Sequence, residues 1–133
     1  MSNPKITVVT FGTFDVFHVG HLRLLERARA LGDRLVVGVS TDALNVSKKG
    51  RSPVFTEAER VDIVAALRCV DSVFLEHSLE LKREYLLEYR ADILAMGNDW
   101  AGKFDEFSDI CRVVYFERTP AISTTAVIEK IRY

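Results

Sequence analysis

The sequence predicts an α/β fold: a small doubly wound, Rossmann-like parallel sheet of about five strands with helices on both faces. Three observations predict it. A strand-like run, Ile6–Phe11, is followed by a polar turn and then by apolar residues at helical spacing, Leu24, Ala28 and Leu31. A second run, Leu35-Val-Val-Gly-Val39, is apolar throughout, as expected of a parallel strand covered on both faces. Three more short runs, Val73–Leu75, Ile93–Met96 and Arg112–Phe116, alternate with stretches of helical character.

The chain of 133 residues, 48% apolar and 28% charged, is expected to form a single domain, 1–133, whose core needs no staple. A net charge of −1 excludes a strongly basic face for duplex nucleic acid but leaves room for a local cationic pocket. Cys69 and Cys111 each lie in an apolar run and are expected to be reduced core residues. No apolar run approaches the roughly 18 residues of a membrane span. Nor does a basic region followed by an apolar stretch open the chain, so the expected location is cytoplasmic, with no membrane partner.

In order, strand Ile6–Phe11 leads into a helix that Gly32 is expected to stop. Arg34–Ser40 completes a right-handed βαβ unit. Thr41–Phe55, rich in Ser, Lys, Gly and Pro, reads as a flexible loop carrying Lys48, Lys49 and Arg51. Thr56-Glu-Ala-Glu59 is a capping box for a helix from about Glu57 to Arg68, with Arg60 and Arg68 flanking its buried stripe. A short strand at Val73–Leu75 precedes a charged helix, Leu79–Tyr89, bearing Lys82 and Arg83. Ile93–Met96 runs into the polar loop Gly97–Gly102, which holds Trp100. After the last strand, 117–122 is a connector, and Ser123 or Thr124 caps a helix with Thr124, Val127, Ile128 and Ile131 on one face.

Ligands of such sheets sit beyond the carboxyl ends of the strands, where strand order reverses. The segments there are Gly12–His21, Thr41–Arg51, Gly97–Gly102 and 117–125, and they concentrate the chain's polar and cationic residues. The first is a Gly-containing turn entering a helix, which makes an anion site from free N–H groups and the helix dipole. His18 and His21 on that first turn can donate to phosphoryl oxygens as charge builds on them. The helix N-terminus disfavours imidazolium and a bound triphosphate favours it, so these histidines are expected to become better donors when nucleotide arrives. A zinc site would need a third ligand, and the remaining histidine, His77, lies in an unrelated segment. A P-loop, a dinucleotide fingerprint and a Gly-x-Ser-x-Gly elbow are all missing.

Several residues keep two readings. Lys48, Lys49 and Arg51 form either a solvated loop or one wall of the pocket. Arg60 and Arg68 are helix-surface ion-pair residues or pocket residues. Trp100 is a packing or dimer contact or a wall for a base, and Asp71 holds an arginine or touches ligand.

Gly12-Thr-Phe-Asp15, His18-x-Gly-His21 and Arg118-Thr-Pro-Ala-Ile-Ser-Thr-Thr125 together resemble the cytidylyltransferases of the His-x-Gly-His nucleotidyltransferase superfamily. Leu24-Leu-Glu-Arg-Ala28, Ser40-Thr-Asp42 and Met96–Asp105 extend the likeness over nearly the whole chain. The Trp100 loop resembles that of members whose acceptor is glycerol 3-phosphate.

The resemblance implies transfer of CMP from CTP to sn-glycerol 3-phosphate by direct in-line attack of the substrate phosphate, with Mg²⁺ on the triphosphate. It implies catalytic roles for His18, His21, Arg118 and Ser123. Nucleotide contacts would come from Thr13, Phe14, Asp15, Gly20, Arg51, Asp99, Arg118, Thr119, Ala121, Ile122, Ser123, Thr124 and Thr125. Lys48, Arg60, Arg68 and Lys82 would serve the acceptor, and Asp15 would order the turn or reach the metal. A homodimer is also implied.

Two departures from the family pattern stand out. Pro120-Ala121 replaces a usual Glu-Gly, removing an N–H donor and backbone freedom beside the nucleotide. The basic loop is one residue longer, which leaves Lys49 and Arg51 as alternatives for its second cation. Another phosphorylated alcohol, ATP, or a catalytically silent nucleotide-binding protein are the competing functions.

Overall fold

The structure is a computed structural model and describes residues 5–117 and 123–132. Five parallel strands form one sheet, as the alternating pattern predicts, and their order is β3-β2-β1-β4-β5. They are β1 Thr7–Gly12, β2 Arg34–Ser40, β3 Ser72–Glu76, β4 Ile93–Gly97 and β5 Arg112–Phe116. The helices are α1 Val19–Arg29, α2 Asp42–Lys49, α3 Glu57–Ala65, α4 Lys82–Glu88 and α5 Thr124–Arg132.

Strand side chains alternate between two cores, which is why the central strands read as unbroken apolar runs. Val8, Leu35 and Val37 pack with Leu25 and Ala28 of α1 and Val64 of α3 on one face. Val9, Phe11, Val36, Leu94 and Met96 pack with Leu86 of α4, Phe104 and Phe107 on the other. Cys69 and Cys111 are free and partly buried.

Four expectations need correction. The basic segment after β2 is a helix, α2, not a loop. Thr41 caps it, its hydroxyl accepting the Leu44 N–H at 3.1 Å, and Gly50 ends it in the left-handed conformation, φ +74°. Polar composition hid this short helix, although the Thr cap and the C-terminal Gly are ordinary boundary signals.

The capping box at Thr56 and Glu59 is present, but α3 stops at Ala65, before Arg68. Gly32 does not cap α1, which ends at Ala30. Its need is close packing: a Cβ there would lie 2.8 Å from the Ile6 carbonyl oxygen. The charged segment at Leu79–Tyr89 opens with a 3-10 turn, Leu79–Leu81, and becomes α-helical only from Lys82.

Candidate functional site

Strand order reverses between β1 and β4, and the two strands pair only at Val8–Ile93 and Val9–Leu94. On either side the pairing continues further, to Gly12–Val39 and to Gly97–Phe116. Beyond Val9 and Leu94 the sheet therefore splits, and a cavity of about 930 Å³ opens at the carboxyl ends. Gly12–Val16, His18, Gly20 and His21 form one wall, Asn98–Trp100 a second, and Ser123–Thr125 with α5 a third.

The histidine turn is a capping box built from imidazoles. His18 is the N-cap of α1, and its Nδ1 accepts the Gly20 N–H at 3.0 Å. His21 Nδ1 reaches back to accept the His18 N–H at 3.2 Å. Each Nδ1 is thus an acceptor, so each ring is the neutral tautomer with its proton on Nε2. The rings stack, with centroids 3.8 Å apart. Burial first, and the neighbouring His18 second, lower the pKa of His21 to about 4, with Asp15 opposing. Protonating either Nδ1 would forfeit a cap. The box therefore opposes charging of the imidazoles, and a neutral ring with its Nδ1 capped has an Nε2–H as its donor.

The turn before the helix is strained. Phe14 and Val16 both have positive φ, +55° and +47°, an outlying conformation for a β-branched residue. Three sets of bonds hold it. The Asp15 carboxylate accepts the N–H groups of Val16, Val54 and Phe55 at 3.1, 2.7 and 2.9 Å. Arg60, fully buried, donates to the carbonyls of Thr13, Ser40 and Phe55 and pairs with Asp42 at 2.8 Å.

The third set is a closed ring. Asn45 Nδ2 donates to Ser40 Oγ at 2.9 Å, and Thr13 Oγ1 donates to Asn45 Oδ1 at 3.0 Å. The 3.1 Å contact between Thr13 and Ser40 must then be a donation by Ser40. The Thr13 hydroxyl proton is used inside the ring, and the Gly20 N–H is used by His18.

The cations fall into two groups. Lys49 and Arg51 line the cavity. Lys82 does not line it: its ammonium is buried and bonded to Glu76 Oε2 at 2.6 Å. Lys48 is partly desolvated, and its charge interacts with both Glu76 and Lys82. Arg68 is elsewhere, in a shallow depression with Leu22, Glu26, Arg29, Leu67 and Cys69.

The remaining expectations divide similarly. Asp99, Ser123, Thr124 and Thr125 line the cavity; Ser123 caps α5, accepting the Ala126 N–H, and the Thr124 hydroxyl donates to the Asp15 carbonyl at 3.1 Å. Arg118, Thr119, Pro120, Ala121 and Ile122 lie outside the described residues. Trp100 faces the cavity and also stacks on Phe104 at 5.3 Å. Asp71 receives the Leu35 N–H at 2.8 Å and lies 3.5 Å from Arg29 Nε, away from the cavity.

Among the described residues no group of three or more His, Cys, Asp or Glu side chains could cage a metal. Asp15 spends its oxygens on three backbone donors, which supports turn ordering. The donor set suits a metal that arrives on phosphate oxygens, the usual habit of Mg²⁺.

Arg27 and Asn45, which line the cavity, escaped the sequence reading. Arg27 donates to the Glu117 carbonyl at 2.9 Å and covers the Phe116 ring at 4.6 Å. It shares a helical face with Gly20 and Leu24, and that spacing was a usable signal. Asn45 gave no signal once its segment was read as loop.

The sequence pattern of the family described as cytidylyltransferase-like matches residues 9–130. The glycerol-3-phosphate cytidylyltransferase of Bacillus subtilis (strain 168) is 45% identical over 124 residues, 93% of this chain and 95% of that protein. An FAD synthase from Thermococcus sibiricus is 34% identical over 137 residues, 96% of this chain and 93% of its own length. Among solved structures, the lipopolysaccharide core biosynthesis protein of Thermoplasma volcanium GSS1 superposes with a TM-score of 0.77 at 28% identity, covering 87% of this chain and 99% of that one. The chain belongs to the cytidylyltransferase-like family.

Proposed function

We propose that the chain is a nucleotidyltransferase that moves CMP from CTP to sn-glycerol 3-phosphate, forming CDP-glycerol and releasing pyrophosphate. The observation that carries this reading is the double-imidazole capping box facing the cavity at the strand-order reversal, in a chain 45% identical to a glycerol-3-phosphate cytidylyltransferase. The phosphate of the acceptor is itself the nucleophile, so the protein need supply only alignment and charge stabilisation. His18 and His21 donate their Nε2–H groups to the phosphoryl oxygens, and Lys49, Arg51, Arg118 and the Ser123–Thr125 segment surround the triphosphate. Lys48 and Lys82 receive the acceptor's phosphate, and Arg60 supports the pocket.

Mg²⁺ enters with the triphosphate as part of the substrate. In this reading residues 1–133 act as one catalytic domain of a cytoplasmic homodimer that engages neither nucleic acid nor membrane. Among the described residues no helix is long and apolar enough to cross a membrane.

The similarity to an FAD synthase and the Pro120-Ala121 departure favour one second reading, transfer from another nucleotide or to another phosphorylated alcohol. One assay separates the two. The protein is mixed with each of four nucleoside triphosphates, Mg²⁺ and a panel of phospho-alcohols, and pyrophosphate is measured. Release confined to CTP with glycerol 3-phosphate is expected. Release only with a different pair would replace the first reading by the second.

A further inference from the structure

A carboxylate in contact with a cation that is read as a phosphate ligand needs an explanation, because it repels the phosphate. Glu76, bonded to Lys82, is such a residue. It is the last residue of β3, and Lys82 is the first of α4, so one short connection brings both to the carboxyl end of the sheet. The Lys82 ammonium donates to Glu76 Oε2 at 2.6 Å, with the two side chains 4% and 3% exposed. The ammonium also stands over Phe11, 3.8 Å from its centroid, with Phe104 at 5.2 Å.

A lysine placed among aromatic rings and shielded from water tends to give up its proton, and a neutral amine is a poor phosphate ligand. A carboxylate in contact with it reverses that tendency. The Glu76 main-chain carbonyl accepts the Thr41 N–H at 3.0 Å, which ties β3 to the N-cap of the helix that bears Lys48.

We propose that Glu76 is a positioning residue of the acceptor site, holding the Lys82 ammonium charged and oriented so that its remaining N–H groups meet the acceptor's phosphate. The inference rests on the reading that Lys82 serves the acceptor. An ammonium has three donors. One goes to Glu76, and the Phe11 and Phe104 rings flank the ammonium, so Glu76 sets the direction in which the other two N–H groups point.

The charges around Lys82 come from several elements. Glu76 faces it from β3, and Lys48 of α2 interacts with both; Lys48 in turn feels Lys49 of α2 and Arg60 of α3, which pairs with Asp42. Burial lowers the Lys82 pKa while Glu76 raises it, through charge and through the hydrogen bond. Glu76 is thus the group that opposes deprotonation of Lys82.

The test is the pH dependence of KM for each substrate in Glu76→Gln, measured from about pH 6.5 to about pH 9.5. In the unaltered protein the KM for glycerol 3-phosphate is expected to change little over this range. In Glu76→Gln it should rise at least about tenfold toward the alkaline end, as Lys82 loses its proton, while the KM for CTP stays level. Adding Lys82→Arg to Glu76→Gln should flatten the profile again, because a guanidinium does not titrate there.

A flat acceptor profile in Glu76→Gln, or a parallel rise for CTP, overturns the role of Glu76. Lys82→Ala checks the underlying reading separately: an unchanged acceptor KM there removes Lys82 from the acceptor site altogether. Should Glu76→Gln fold poorly, Glu76→Asp retains the carboxylate, and its expected profile is flat at a raised KM; a steep one contradicts the proposal.

Discussion

At the carboxyl end of the sheet two clusters keep titratable groups from water, and they settle their charge in opposite ways. In the β1–α1 turn, burial leaves His21 neutral with its pKa lowered to about 4, and both imidazoles use Nδ1 to cap the helix. At the β3–α4 connection a buried ammonium is matched by a carboxylate 2.6 Å away. Desolvation acts against charge in both places. The difference lies in what each cluster must offer: the histidines need only an Nε2–H, which a neutral ring supplies, whereas a lysine donates well only when protonated. One cluster can therefore stay uncharged, and the other needs a built-in counter-ion.

The most severe way to break this contrast is at His18. His18→Ala removes both donor and cap, and turnover is expected to fall at least about a hundredfold. His18→Asn retains an N-cap acceptor, so thermal melting should show stability restored while turnover stays low. Normal turnover in the Asn variant would assign His18 to the cap alone.

On the lysine side, Lys82→Ala is expected to raise the KM for the phospho-alcohol about tenfold or more, with little change for CTP. Equal effects on both substrates would merge the two clusters into one site. Asp15→Asn comes next, since the amide cannot accept all three N–H groups. Chemical denaturation should register a loss of about 1–3 kcal/mol. The Mg²⁺ concentration for half-maximal rate should be unchanged, and a large increase would make Asp15 a metal ligand rather than a clip.

The smallest effect is the proton linkage of His21. Its pKa falls from 6.5 to about 4 on folding, so the unfolded chain binds more protons between those values. Stability from this group is full above about pH 6.5 and is lost as pH falls toward 4. In the nucleotide-free protein the melting temperature should drop by a few degrees across that window, on the order of 1–2 kcal/mol after screening. NMR titration of the imidazole should give the same low midpoint, and a midpoint near 6.5 would refute the neutral-ring account.

Much of this was legible locally. The apolar runs at Thr7–Gly12 and Arg34–Ser40 became central strands because hydrophobic periodicity reports burial directly. The Thr56–Glu59 box and the Ser123 cap were readable because each bond closes within a few residues. Helix α2 shows the limit even of local signals: its cap at Thr41 and stop at Gly50 are ordinary, yet a Ser- and Lys-rich composition outweighed them.

By itself, then, the sequence determined the parallel α/β sheet, the crevice beyond its strands and the histidines placed at it, since all of these follow from short-range patterns and from the topology they imply. Only the tertiary structure decided what those residues have left to offer. Asp15 meets Val54 and Phe55 some 39 and 40 residues away, Arg60 meets Thr13 at a separation of 47, and Thr124 meets Asp15 at 109. No periodicity encodes such bonds, because they form only once separate loops share one end of the sheet. Bonds of this kind give the Asp15 carboxylate two of its three backbone N–H partners and use the Thr13 proton within a ring. The same folding carries Arg68 to another face and places Lys82 in contact with Glu76.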